Sequence, residues 1–140
     1  MKTKAGKNKV FCIMEGQNVC SVVREEDVSQ AVNAWSGIYK DLKAVPIKDV
    51  IDTSKTIERQ AQQLFGRMGC PYEIWEEDGK IRIEIEWGDW KHDHGNADSV
   101  METAFGFDDV EETVTEEDGS DCYSSIHTYA RKKRTRSNAV

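Results

Sequence analysis

The sequence predicts an α+β fold: one two-layer domain in which an antiparallel sheet of hairpins carries two helices on one face. Three observations lead there. Asp78-Gly79 joins two β-prone runs, 72–77 and 80–87, and this dipeptide suits a type I′ turn because both central residues need positive φ. Apolar residues recur at helical spacing at Ile57, Ala61, Leu64, Phe65 and Met68, and again at Ala97, Val100, Met101, Ala104 and Phe105. A glycine, Gly69 or Gly106, stands where each helix should stop.

Taken in chain order, Val10–Met14 and Val19–Val23 flank Glu15-Gly16-Gln17-Asn18, which is turn chemistry, and predict a first hairpin. Asp27 then caps a helix whose apolar side is Val28, Ala31, Val32 and Trp35, extending toward Ile38. Pro46 interrupts 41–52, where Val45, Ile47 and Val50 suggest an extended crossing and not a helix. Thr53 or Ser54 supplies the cap for the helix at 54–68.

With Asp78-Gly79 as a two-residue turn, Glu77 faces Lys80, Ile74 faces Ile83 and Tyr72 faces Ile85. Together with Ile81 and Trp87 these make an apolar face. The opposite face carries Glu73, Trp75, Arg82, Glu84 and Glu86, with Trp75 set against Arg82 for a cation–π contact. Asn96 is the expected cap of the next helix. Val110–Glu116 and Asp121–Ala130 form the last hairpin, turning about Asp118-Gly119 or Gly119-Ser120.

The second half echoes the first at a shift of 40 residues. Phe65-Gly66 returns as Phe105-Gly106, Ile74 as Val114, and Glu76-Glu77-Asp78-Gly79 as Glu116-Glu117-Asp118-Gly119. An αββ internal duplication, 53–87 and 96–130, accounts for the echo as well as chance recurrence of a helix stop and a turn does. Two such hairpins pair into a four-stranded sheet, with the first hairpin and helix at its edge.

Charge divides the chain into a basic flexible segment at 1–9, a folded body at 10–130 and a basic flexible tail at 131–140. Residues 1 to about 8 and those beyond about 132 are expected to add nothing to stability. The body holds all 26 acids against 10 bases, a net of −16, within an overall charge of −7. A body of that sign repels phosphate backbones, so nucleic acid could be held only through the basic tail, and a protein partner is the better expectation. No apolar run reaches membrane-spanning or signal-peptide length. That sets a cytoplasmic expectation without membrane contact. Cys12, Cys20, Cys70 and Cys122 contain no Cys-x-x-Cys pair and read as free thiols, although Cys12 and Cys20 could meet across the first hairpin.

Asp89, His92 and His94 make the most suggestive local cluster, because imidazole and carboxylate are divalent-metal ligands gathered where a strand hands over to a helix. The competing role is a surface turn with Asp89 as an N-cap. Otherwise no cofactor is expected. A second group, Tyr123, His127 and Tyr129, shares one strand face and could stack on a ligand, or simply cover the end of the sheet. Trp75 and Trp90 are the expected exposed aromatics for a partner. Cys122 and His127, five apart on a strand, point to opposite faces and make no nucleophile–base pair. Ser124 and Ser125 lack a nucleophile-elbow context, and phosphate-binding glycine loops are absent.

These residues support a small acidic, non-enzymatic protein-binding or accessory module. The alternative is a metal-dependent hydrolase or nucleic-acid-processing enzyme that uses Asp89–His94 with the tail holding substrate. Metal uptake through His92 and His94 would separate the two.

Overall fold

In the computed structural model, residues 9–70, 72–87, 94–116 and 123–131 are described. They form two antiparallel sheets and three α-helices, the α+β class that hairpins and helical stripes predict. Among the described residues, no helix is long and apolar enough to cross a membrane.

The first hairpin is β1 (Val10–Glu15) and β2 (Asn18–Arg24), and Gly16 takes the positive φ of 63° that its turn requires. A register shift at Ile13/Met14 leaves Cys12 opposite Val22 and not Cys20, and both cysteines are free. The crossing after Asp41 becomes β3 (Lys43–Pro46), which pairs with β1 to complete a sheet of order β2-β1-β3. Pro46 ends that edge strand, where its missing N–H costs no interior ladder bond. The first hairpin therefore does not extend the larger sheet. It builds its own.

Between β2 and β3 lies α1 (Val28–Trp35), entered through a 3-10 turn at Glu25–Asp27. Asp27 occupies the N-cap position with φ −102° and ψ 3°, and its carboxylate makes no capping bond. The turn feeds directly into the helix and leaves it no extended approach from which to cap. No residue of α1 is buried, and Ile38, expected on the apolar side, is 69% exposed.

Helix α2 (Ile57–Arg67) starts later than its predicted cap. The carboxylate of Asp52 accepts from the Ser54 N–H at 3.0 Å and the Ser54 hydroxyl at 2.6 Å, holding Ser54 in a local turn. Thr56 caps instead, its Oγ1 accepting from the Arg59 N–H at 3.2 Å. Gly69, at φ 75°, follows the helix end.

The second sheet runs β4 (Glu73–Glu77), β5 (Lys80–Trp87), β7 (Tyr123–Arg131) and β6 (Phe107–Glu116), every neighbour antiparallel. The β4–β5 register matches the turn prediction: Glu77 pairs Lys80, Ile74 pairs Ile83 and Trp75 pairs Arg82. Asp78 and Gly79 both have positive φ, as a type I′ turn demands. Trp75 and Arg82 do not stack; the Trp75 indole N–H donates to Glu77 Oε1 at 3.2 Å, and the same oxygen lies 3.3 Å from Arg82 Nε, an ion pair that leaves this buried Nε without a hydrogen bond. Helix α3 (His94–Phe105) begins two residues before Asn96, the expected cap, and places His94 in its first turn.

Both helices touch both sheets. Ala61, Leu64 and Phe65 of α2 and Ala97, Val100 and Met101 of α3 share one core with Ile74, Ile81, Ile83 and Ile85 of the larger sheet and Cys12, Met14, Val19 and Val22 of the smaller. Each fully buried aliphatic or aromatic side chain contributes about 1.5–3 kcal/mol by leaving water. The order helix–strand–strand occurs twice, as α2-β4-β5 and α3-β6-β7, and the two hairpins meet through their second strands. Lys9 and Arg131, assigned to the charged ends, are attached to the body: the Lys9 carbonyl accepts from the Glu25 N–H at 2.9 Å, and the Arg131 guanidinium lies 5.1 Å from the Phe107 ring centroid.

Candidate functional site

Alternation along β7 sends Ser125, His127 and Tyr129 to one side of the sheet. Their partners on β5 are Ile85, Ile83 and Ile81, so this is the core-facing side, and all three polar residues are buried. The ring stripe predicted to cover the end of the sheet is instead under it, at least for His127 and Tyr129; Tyr123 is described by its backbone alone. Burial obliges each polar group to find a partner.

Helix α3 and strand β6 provide them. The Tyr129 hydroxyl donates to Asp98 Oδ1 at 2.7 Å, and His127 Nδ1 lies 2.9 Å from Asp109 Oδ2. On the other side of the ring, His127 Nε2 lies 3.2 Å from Ser125 Oγ and 3.7 Å from Glu112 Oε2. With Asp109 ionised, its carboxylate can only accept, so Nδ1 carries the proton and Nε2 accepts from the Ser125 hydroxyl.

A bulge makes this set possible. The β6–β7 register shifts between Asp109 and Glu111, so that Asp109 pairs Tyr129 while Glu112 pairs His127. In a regular strand, residues three apart point to opposite faces. Here the extra residue, Val110, is 56% exposed, and acids on either side of it both reach one imidazole.

An open cleft of about 540 Å³ runs along the outer wall of this cluster, lined by Asp98, Ser99, Glu102, Asp108 and Asp109. Among the described residues, every ionisable group in that lining is an acid. Burial pushes the Asp109 carboxyl above its ordinary range, opposed by its hydrogen bond to His127 and reinforced by the nearby charge of Asp98. Burial, then the hydrogen bond to Asp98, raises the Tyr129 hydroxyl as well, keeping it a protonated donor.

Ser125, His127 and Asp109 reproduce the hydrogen-bond order of a Ser-His-Asp triad. They do not form a nucleophile. Ser125 has no exposed surface and His127 is 2% exposed, so no acyl group can approach the hydroxyl. The array is a polar tie between α3, β6 and β7.

Among the sequence-predicted site residues, Asp89, Trp90 and His92 lie outside the described residues, and His94 is described only by its backbone. Trp75 is half-buried and engaged by Glu77. The structure brings His127 and Tyr129 together and adds Asp98, Asp109 and Glu112, which the sequence did not single out, and Ser125, for which it offered no role. The available signal was Ser-x-His-x-Tyr, a polar period of two on a strand whose neighbour is isoleucine-rich. No family model, curated protein or solved structure matches the chain.

Proposed function

We propose that this chain is a non-enzymatic protein-binding module that receives a basic partner along β6. The observation that carries the reading is the outer edge of the larger sheet. Among the described residues β6 pairs only with β7; along this edge Asp108 lines the cleft, and Val110 and Glu111, beside the bulge, are exposed. An open strand edge is a template for another strand. Acids on that edge repel a second copy of the same edge and attract a basic segment, which turns a general aggregation hazard into selectivity for charge. The net charge of −16 between residues 10 and 130 extends the same field over the body. The burial of Ser125 and His127 supports the non-enzymatic side of the reading.

The test is affinity purification from the source cells with the wild-type chain and with Asp108→Lys/Glu111→Lys. A direct partner should bind the purified wild type in a salt-sensitive manner and lose binding to the charge-reversed variant. Glu25→Lys/Glu26→Lys, which reverses two acids at the 3-10 turn before α1, should bind as wild type does. Equal binding by all three proteins would overturn the β6 assignment.

A further inference from the structure

We propose that Asp98, Asp109 and His127 form a divalent-cation site that fastens α3 to β6 and β7. This is independent of the partner-binding reading, since its ligands are Asp98, Asp109 and His127 and not the two acids, Asp108 and Glu111, on which that reading is tested.

The three side chains come from three elements, yet one ligand atom from each lies within 4.8 Å of the other two. Two donors on one first-row cation, each about 2.1 Å from it, stand about 3 Å apart when adjacent and about 4.2 Å when opposed. The His127–Asp109 separation of 2.9 Å already has the adjacent value. A small inward movement of Asp98, which faces the open cleft, completes the set.

The electrostatics ask for positive charge at this place. Asp98 and Asp109 are neighbouring carboxylates, and Asp108 and Glu102, the latter paired with Arg24 at 3.8 Å, line the same cleft, whose described lining holds no basic side chain. A mixed imidazole and carboxylate set suits manganese or zinc better than calcium, which prefers oxygen alone.

The ring's other nitrogen is equipped for coordination. A metal at Nδ1 requires that nitrogen to be unprotonated, so the ring proton moves to Nε2. There Glu112 Oε2 and Ser125 Oγ stand 3.7 and 3.2 Å away, and the serine hydroxyl can rotate to accept. Metal-bound histidines characteristically hold their remaining N–H on such an oxygen. Tyr129 performs the corresponding service for Asp98 by donating to Oδ1, leaving the second oxygen for the ion.

The rival occupant of this negative site is a proton on His127, which would pair with Asp109 and need no metal. Titration of the chelator-treated full chain with MnCl₂, followed by electron paramagnetic resonance, separates them, and manganese avoids the free thiols. One Mn²⁺ per chain is expected. Asp109→Asn, which keeps the side chain's shape, should weaken uptake more than about tenfold, while His92→Ala/His94→Ala should leave it within about twofold. In the wild type, Mn²⁺ should broaden the ring resonances of His127 first, a readout that does not depend on any variant folding. No uptake, uptake unaffected by Asp109→Asn, or uptake lost with His92 and His94 would each overturn the proposal.

Discussion

Replacing Tyr129 by Phe removes one oxygen atom and tests whether α3 is tied to β7 as described. The ring remains and fills the same space, so no cavity forms; what is lost is the 2.7 Å bond from a fully buried hydroxyl to Asp98. Hydrogen bonds to charged groups contribute about 1.5–3 kcal/mol. Asp98 lines the open cleft, where water can replace the missing donor, which places the expected loss at the lower end, about 1.5–2 kcal/mol. For a chain of this size each kcal/mol lowers the melting midpoint by about 2–4 °C, so the variant should melt about 3–8 °C below wild type. Urea unfolding followed by circular dichroism should show a lower midpoint with an unchanged slope, because the buried area is the same. Combined with Asp98→Ala, the two losses should fall short of adding, by a coupling of about 1–2 kcal/mol. A Tyr129→Phe variant with wild-type stability, or strict additivity with Asp98→Ala, would refute the tie.

Two further expectations concern titrating groups. The Asp109 carboxyl is held above its ordinary value of 3.8, chiefly by burial, so the folded state binds its proton more tightly than the unfolded state does. The stability linked to this group is then fully present below 3.8 and lost as pH rises through the folded value. In chelator, wild type should lose stability relative to Asp109→Asn across that interval, and a flat or opposite difference would show the sign to be wrong. Burial pushes the Cys12 thiol up to about 12, against a smaller lowering by Arg67, while Cys20 and Cys70 are only half-buried. Iodoacetamide at pH 8 should therefore modify Cys20 and Cys70 well before Cys12, with the order read by peptide mass spectrometry.

The parts of this fold that were legible in the sequence are those whose information is local. Asp78-Gly79 fixed the turn, and once the turn is fixed the pairing of Ile74 with Ile83 follows by counting. The stripes at 57–68 and 97–105 announced α2 and α3, because a period near 3.6 leaves no other regular structure for them. Helix starts were less legible. Asp52, Ser54 and Thr56 all carry capping chemistry, and the choice among them rests on which backbone donor each captures.

Pairings across long stretches of chain were not legible. Nothing near Lys43–Pro46 names β1 as its neighbour, some thirty residues earlier. His127 was visible as a strand residue with aromatic companions, but its partners are Asp109, on another strand, and beside it Asp98, on a helix. Counting by twos along 107–116 assigns the acids of β6 to the wrong faces beyond Val110, since the bulge is not announced by a glycine.

That extra residue also gives the site an unusual sensitivity to chain length. Deleting Val110 alone would let β6 run in a single phase along β7, turning Glu112 outward or Asp109 away from the imidazole without altering any of the interacting side chains. The acid pair around His127 is thus encoded by a spacing as much as by residue identity. A one-codon insertion or deletion at this point could create or abolish it in a single step. Descendants of this chain could accordingly differ at the site while agreeing at every position that an aligned comparison of side chains would inspect.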